Sequence, residues 1–126
     1  MSETVLEENA FLVSETDEKG IIKFANDEFC RVAGYSREEL IGQPHNLVRH
    51  SDMPKSAFED LWKTVKDGKV WQGFVKNKTK NGGFYWVYAT VYPYKNENGQ
   101  VCYMSCRRKP DRNKLSEIEA LYKTMR

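Results

Sequence analysis

Residues 71–108 decide the fold, and they read WQGFVKNKTKNGGFYWVYATVYPYKNENGQVCYMSCRR. Apolar and polar side chains alternate through much of this stretch with the period of two that is typical of β-strands. Turn sequences divide it at residues 81–83 (Asn-Gly-Gly) and 96–99 (Asn-Glu-Asn-Gly). Because short glycine-containing turns join antiparallel neighbours, we predict three strands in an antiparallel meander.

The residues before the meander predict a hairpin followed by short helices. Residues 11–16 and 21–25 are rich in apolar and β-branched side chains and flank a turn at 17–20. Asn26 is then a candidate helix cap, and residues 36–40 hold a capping box. These signals add two strands and two short helices to the meander.

Residues 54–67 form the clearest predicted helix, because their apolar side chains recur at helical spacing. Five strands in the order two, helices and then three predict an α+β domain. We expect a five-stranded antiparallel sheet with short helices covering one face. A ligand cleft is then expected between the helices and the sheet.

Three segments divide the chain: an N-terminal cap at 1–10, the folded domain at 11–108 and a C-terminal amphipathic linker helix at 109–126. The apolar residues of the last segment are Leu115, Ile118, Tyr122 and Met125. Their spacing is that of a coiled coil, so we expect this helix to leave the domain toward a downstream output region or partner. The alternative is a helix that folds back on its own sheet.

Composition excludes several classes of function. Twenty Lys and Arg against eighteen Asp and Glu leave a net charge of +2, so a nucleic-acid partner is not expected. No apolar run approaches the roughly 20 residues of a membrane helix, so no direct membrane insertion is expected. Three cysteines without CxxC spacing indicate a reducing, cytoplasmic location and no metal site. We find no catalytic motif and expect that the chain is not an enzyme.

Residues 42–54 gather both histidines of the chain, His45 and His50, together with Arg49 and Asp52. Buried ionisable groups are costly unless they are paired, so a plain core would not collect them. We interpret the cluster as a binding site. The alternative is a solvated helix start, with Asp52 near the positive end of the following helix.

The strand that begins at Trp71 places Asn77 on its inner face, because lysines occupy most of the alternate positions. A buried carboxamide needs hydrogen-bond partners, which either a ligand or the backbone supplies. Aromatic residues add to the interpretation of a cavity, since they hold a flat conjugated ligand well, although they also commonly fill cores. The aromatic candidates are Phe58, Trp62, Trp71 and Tyr85.

Five segments resemble one known family, the PAS domains of bacterial aerotaxis transducers, which are flavin-binding redox sensors. The segments are NDEFCRVAGY (26–35), GQPHNLVRH (42–50), DMP (52–54), VKN (75–77) and YWV (85–87). The resemblance covers residues 10–108. It departs at Ser51, where the family motif has proline.

The resemblance implies a PAS fold that holds FAD noncovalently between helices and sheet. Carried over by position, it implies that the residues tied to FAD binding are Arg49, His50 and Asp52. It also implies aromatics near the ring at Trp71 and Tyr85, amides in the pocket at Asn26 and Asn77, and further contacts at His45 and Phe58. The cysteine motif of photochemical flavin sensors of this fold, Asn-Cys-Arg-Phe-Leu, is missing from the sequence.

The implied function is that of a cytoplasmic redox, oxygen or energy-state sensor that relays the state of FAD to a chemotaxis-type output. Any membrane association would arise through other regions or partners. Two alternatives remain: a haem-binding gas sensor that uses His45 or His50, and a PAS interaction module without flavin.

Partners are expected at the outer face of the sheet. Apolar side chains should alternate outward there, namely Phe74, Trp86, Tyr88 and Tyr92. Such a face needs a cover, either the N-terminal segment around Val5 and Leu6 or a partner subunit. We expect a homodimer or PAS-mediated pairing, with a chemoreceptor signalling region in the same chain or in a partner chain.

Overall fold

A computed structural model describes residues 2–126. Five antiparallel strands form one sheet in the spatial order β2-β1-β5-β4-β3. The strands are β1 (Leu12–Asp17), β2 (Ile22–Ala25), β3 (Trp71–Lys78), β4 (Phe84–Lys95) and β5 (Val101–Arg108). The α-helices are α1 (Asp27–Ala33), α2 (Arg37–Leu40), α3 (Lys55–Lys66) and α4 (Arg112–Met125), and a 3₁₀ helix spans His45–Val48. The predicted fold class is confirmed.

The short helices begin where the sequence supplies caps. Asn26 accepts a hydrogen bond from the backbone N–H of Phe29 and so starts α1. Ser36 and Glu39 form the reciprocal capping box of α2. Phe29 and Leu40 on these helices are fully buried, so the caps aim apolar side chains at the inner face of the sheet.

Residues 42–50, which we call the crossing segment, connect the two edges of the sheet. At one end the N–H of Gly42 donates to the carbonyl of Ile22 in β2, with an N–O distance of 2.8 Å. At the other end Arg49 pairs with Asn77 of β3 as an isolated antiparallel bridge. Since β2 and β3 are opposite edge strands, the segment crosses the helix-covered face of the sheet and covers the space between the helices and that face.

The C-terminal helix α4 lies against the outer face of the sheet. The Tyr122 hydroxyl donates to the carbonyl of Phe74 at 2.7 Å, its ring stacks on Trp86, and Leu115 is buried. The expectation that this helix leaves the domain is therefore wrong for the described residues, and the fold-back alternative holds. Of the apolar residues with coiled-coil spacing, Leu115 and Tyr122 cover the sheet, whereas Met125 is exposed.

The N-terminal residues pair with the start of β4 and do not cover the outer face, since Leu6 packs in the main core cluster. The N–H of Thr4 donates to the carbonyl of Phe84, and Leu6 is buried while Val5 stays exposed. Tyr92, farther along β4, is more than one-third exposed, so part of the aromatic outer face has no cover within the described chain. No helix among residues 2–126 combines the length and the apolar character needed to cross a membrane.

Candidate functional site

A cavity of about 260 Å³ lies between the inner face of the sheet and the layer made by α3 and the crossing segment. Its walls are largely apolar. Phe58, Leu61 and Trp62 of α3 face Val75, Ala89 and Val91 of the sheet. Trp62 is held edge-on by Tyr103, with ring centroids 5.3 Å apart. A planar ring placed between α3 and the sheet would meet apolar or aromatic surface on both faces.

The inner end of the cavity is polar and is built around Arg107 of β5. Arg107 is 2% exposed, and its guanidinium lies 4.6 Å from the centroid of the Phe29 ring. It donates to the Leu12 carbonyl at 3.3 Å, to Ser14 Oγ at 2.6 Å and to His45 Nε2 at 2.6 Å. The three acceptors fix the guanidinium at the cavity wall.

The contact with Arg107 assigns the tautomer of His45. Arginine has only donors, so His45 Nε2 accepts and the proton of the neutral ring lies on Nδ1. Burial, together with the charge of Arg107, lowers the pKa of His45 to about 3. His45 is therefore a neutral acceptor near pH 7. The close guanidinium also makes Nε2 a poor ligand for a metal cation, which weighs against the haem alternative.

Asn77 reaches the cavity from β3, as the strand alternation predicts. It is 3% exposed, and its Nδ2 donates to the hydroxyl of Tyr85 at a long 3.5 Å. Among residues 2–126 this is the one hydrogen bond of the carboxamide, so the group retains capacity to bind a ligand. Tyr85 is fully buried behind it, and burial raises the pKa of Tyr85 to about 12.

The mouth of the cavity is basic and exposed. Arg49 lines it, with its guanidinium 4.5 Å from the centroid of the Phe58 ring. Lys19, Pro44 and Asn46 also line it and are exposed to solvent. A ligand larger than the cavity therefore has an exit on this side.

Five of the ten predicted site residues line the cavity: His45, Arg49, Phe58, Trp62 and Asn77. Tyr85 contacts it only through Asn77. The structure does not bring the other four, Asn26, His50, Asp52 and Trp71, to the cavity wall.

His50 and Asp52 point to the opposite side of β3. Asp52 Oδ2 lies 2.8 Å from Lys76 Nζ, and Asp52 Oδ1 lies 3.0 Å from Arg126 of the C-terminus. The hydrogen bond from Lys76 lowers the pKa of Asp52. His50 Nδ1 accepts from the backbone N–H of Asp52, and burial lowers the pKa of His50. Because β3 alternates its faces, Asn77 faces the cavity while Lys76 faces this outer cluster.

Asn26 and Trp71 are engaged elsewhere. The Asn26 carboxamide accepts from the N–H groups of Val13 and Phe29 and donates to the carbonyl of Phe11 at 2.8 Å. Trp71 Nε1 donates to Asp60 Oδ2 at 3.0 Å. Both side chains therefore have structural partners, and neither lines the cavity.

Sequence reasoning missed Arg107, the most buried charged side chain of the site. The available signal was alternation in β5, where Tyr103, Ser105 and Arg107 share the inner face. An arginine on an inward strand position is unusual and needs partners. Those partners come from β1 and the crossing segment, which lie far away in sequence.

Comparisons with known proteins place the chain in a family. Residues 22–108 match the family described as PAS fold. The chain is 47% identical over 122 residues to the aerotaxis receptor of Escherichia coli (strain K12), covering 97% of this chain and 24% of that protein. It is 32% identical over 98 residues to the nitrogen fixation regulatory protein of Klebsiella pneumoniae, covering 78% of this chain and 20% of that protein. The chain thus spans about a quarter or less of these relatives.

Solved structures agree on the fold. The dark structure of the blue-light photoreceptor Aureochrome1 LOV superposes with a TM-score of 0.74 at 16% identity, covering 90% of this chain and 84% of that chain. A fungal LOV domain photoreceptor gives 0.69 at 19% identity, covering 79% and 74%. The family match over most of the chain, with the same five-stranded architecture, shows that this chain belongs to the PAS family.

Proposed function

We propose that this PAS domain binds FAD noncovalently, with the isoalloxazine ring in the cavity, and acts as the redox-sensing part of an aerotaxis-type signalling protein. The observation that carries the proposal is a cavity with apolar and aromatic walls that is also lined by Asn77, His45 and Arg107. The similarity to the aerotaxis receptor, and the motif resemblance that implies FAD, support the choice of ligand.

The cavity fits part of such a cofactor. Ligand pockets usually enclose roughly 300–1,000 Å³, and about 260 Å³ suits a planar ring system better than a whole dinucleotide. The remainder would pass the exposed mouth at Lys19, Pro44 and Asn46. Bound flavin supplies reversible electron transfer, while the chain supplies the walls and the polar contacts.

In this proposal the side chains that line the cavity make different contacts with the flavin ring. Trp62 and Phe58 would pack against the ring and exclude water. Asn77 would offer its carboxamide to the ring edge, where donors and acceptors alternate. No covalent chemistry is assigned to the chain, so the domain would transmit a state and not catalyse a reaction.

The relay would use the alternation of β3. Asn77 faces the cavity, and the preceding residue, Lys76, binds Asp52, which in turn binds Arg126 after α4. A change in the hydrogen bonds of Asn77 would thereby reach the ion pairs that hold the end of α4. We further propose a cytoplasmic domain that pairs with a second copy or another PAS domain, and that signals to a chemoreceptor region in the same chain or in a partner.

The first experiment is an absorbance spectrum of the freshly purified protein, followed by heat release and identification of any chromophore. Two flavin bands with FAD released would support the proposal. A sharp Soret band would show that the bound cofactor is haem and not flavin. Absence of any band, even after incubation with FAD, would leave an interaction module.

A matched pair of variants locates the ligand. Ala89 lines the cavity, whereas Thr90 is the next residue of β4 and faces the other side. Ala89→Leu would fill the cavity and should abolish flavin binding, while Thr90→Leu should leave it intact. Equal binding by the two variants would show that the ligand does not occupy this cavity.

A further inference from the structure

Arg107 carries a buried charge that no acidic group of the described chain balances. It is 2% exposed, and none of the ion pairs among residues 2–126 includes it. Burying a cation without a counter-ion is costly, so such a group usually has a functional reason. Its three acceptors, a carbonyl, a hydroxyl and a neutral imidazole, satisfy hydrogen bonds but supply no negative charge.

The rest of the cavity does not supply a counter-charge either. The charged side chains that line it in the described chain are Lys19, Arg49 and Arg107, and all three are basic. Burial lowers the pKa of Arg107 to about 10, which still leaves the guanidinium protonated near pH 7. The inner end is therefore electropositive and shielded from solvent, where charges interact more strongly than at the surface.

We propose that Arg107 is the counter-ion of the cavity: it favours a planar ligand that carries, or gains on reduction, negative charge at its inner end, and Ser14 and His45 are the residues that position it. This inference rests on the proposed function and deepens it. Arg107 would make the reduced, more negative cofactor bind more tightly than the oxidised one.

Ser14 and His45 hold the Arg107 guanidinium in one position. Ser14 Oγ and His45 Nε2 both accept from the same guanidinium nitrogen, and they lie 3.1 Å from each other. His45 is itself held by stacking on Phe29, with ring centroids 5.9 Å apart. Loss of either acceptor would let the guanidinium leave the inner wall without removing its charge.

A redox titration with dithionite tests the electrostatic role in FAD-loaded protein. Arg107→Met should lower the preference for the reduced cofactor about tenfold, which for a one-electron couple lowers the midpoint potential by about 59 mV. Arg107→Lys keeps the charge and should restore most of the potential. Arg108→Met is the matched control, because Arg108 is the next residue of β5 and is exposed on the other face. Equal potentials in Arg107→Met and wild type would overturn the proposal.

A second measurement needs no flavin. Fluorescence titration of the apo protein compares anilinonaphthalene sulfonate, an aromatic anion, with its uncharged analogue N-phenyl-1-naphthylamine. The preference for the anion should fall about tenfold in Arg107→Met and stay unchanged in Arg108→Met. An unchanged preference in Arg107→Met would overturn the inference. A wild type that prefers the anion but never binds FAD would reject the proposed function and retain the inference.

Circular dichroism establishes that each variant is folded. If Arg107→Met does not fold, Ser14→Ala decides the question, because it removes one acceptor of the guanidinium and keeps the charge. It should reduce the preference for the anion by a smaller factor. A Ser14→Ala protein with the wild-type preference would then overturn the proposed positioning.

Discussion

Two buried cations lie on opposite faces of the same sheet, and their partners differ in kind. Lys76 on the outer face is 8% exposed and lies 2.8 Å from the carboxylate of Asp52. Arg107 on the inner face is 2% exposed and contacts neutral acceptors only. The Lys76 cluster is complete within the chain, whereas the Arg107 cluster lacks a negative charge. Under the proposed function, the first cluster stabilises the fold and the second awaits the charge of a ligand.

The largest expected effect is a loss of folding stability at low pH, which should arise mainly from His45 in the Arg107 cluster. The pKa of His45 is lowered from 6.5 to about 3, so the unfolded chain binds a proton there before the folded chain does. Stability from this group is present above pH 6.5 and is lost as the pH falls toward 3. We expect a loss of about 2 kcal/mol between pH 7.5 and 5.

Urea unfolding at a series of pH values measures this effect. His45→Gln should remove most of the slope, because glutamine does not titrate. His50→Gln, at the other histidine, should change it less, since the carboxylate of Asp52 partly offsets the lowering of the His50 pKa by burial. Identical slopes in wild type and His45→Gln would mean that His45 is not the titrating group.

Removal of Asp52 should make the outer cluster resemble the inner one. Asp52→Ala leaves Lys76, whose side chain is 10% exposed, without its carboxylate. We expect a loss of about 1.5 kcal/mol in the free energy of unfolding, less than for a fully buried pair because the Asp52 side chain is 39% exposed.

Asp67→Ala is the control for this loss, since Asp67 pairs with Lys69 on the surface and both side chains are mostly exposed. The double variant Asp52→Ala with Lys76→Met should recover part of the stability, as a double-mutant cycle measures. Additive losses in that cycle would contradict the pairing.

Replacement of Arg107 should have the smaller effect on stability, although the residue is the more deeply buried of the two cations. Arg107→Met in flavin-free protein removes hydrogen bonds but also removes an uncompensated charge, so we expect a change below about 1 kcal/mol. Urea unfolding of Arg107→Met and Asp52→Ala under the same conditions measures which variant loses more stability. A greater loss for Arg107→Met than for Asp52→Ala would assign Arg107 a structural role.

The smallest effect is expected at the end of α4. Arg126→Gln removes the second partner of Asp52, a contact at 3.0 Å whose side chains are both about one-third exposed. We expect about 0.3 kcal/mol, as for a surface ion pair. Hydrogen exchange of the last turn of α4 should detect local opening that global unfolding does not. Unchanged exchange would mean that this pair does not hold the helix.

The sequence predicted the sheet and the inward position of Asn77 because strand alternation is a local property. It predicted only part of the site because the cluster in residues 42–54 was interpreted as one binding site on one face of the sheet. The motif runs beside β3, with Arg49 paired to Asn77 and the His50 N–H bonded to the Lys76 carbonyl. Its side chains therefore divide between the two faces. The partners of Arg107 are His45 and Ser14, which are separated from it by 62 and 93 positions in the sequence. No local sequence pattern could have predicted these contacts.

The crossing segment should also reduce the association of the folded molecule with other chains. Exposed edge strands offer unpaired backbone groups on which another strand can add and aggregate. Here the segment bonds to β2 through Gly42 and Gln43 and to β3 through Arg49 and His50, so both edges of the sheet are partly occupied by the same stretch of backbone. Any substitution that loosens this stretch would endanger solubility as well as the cavity beneath it.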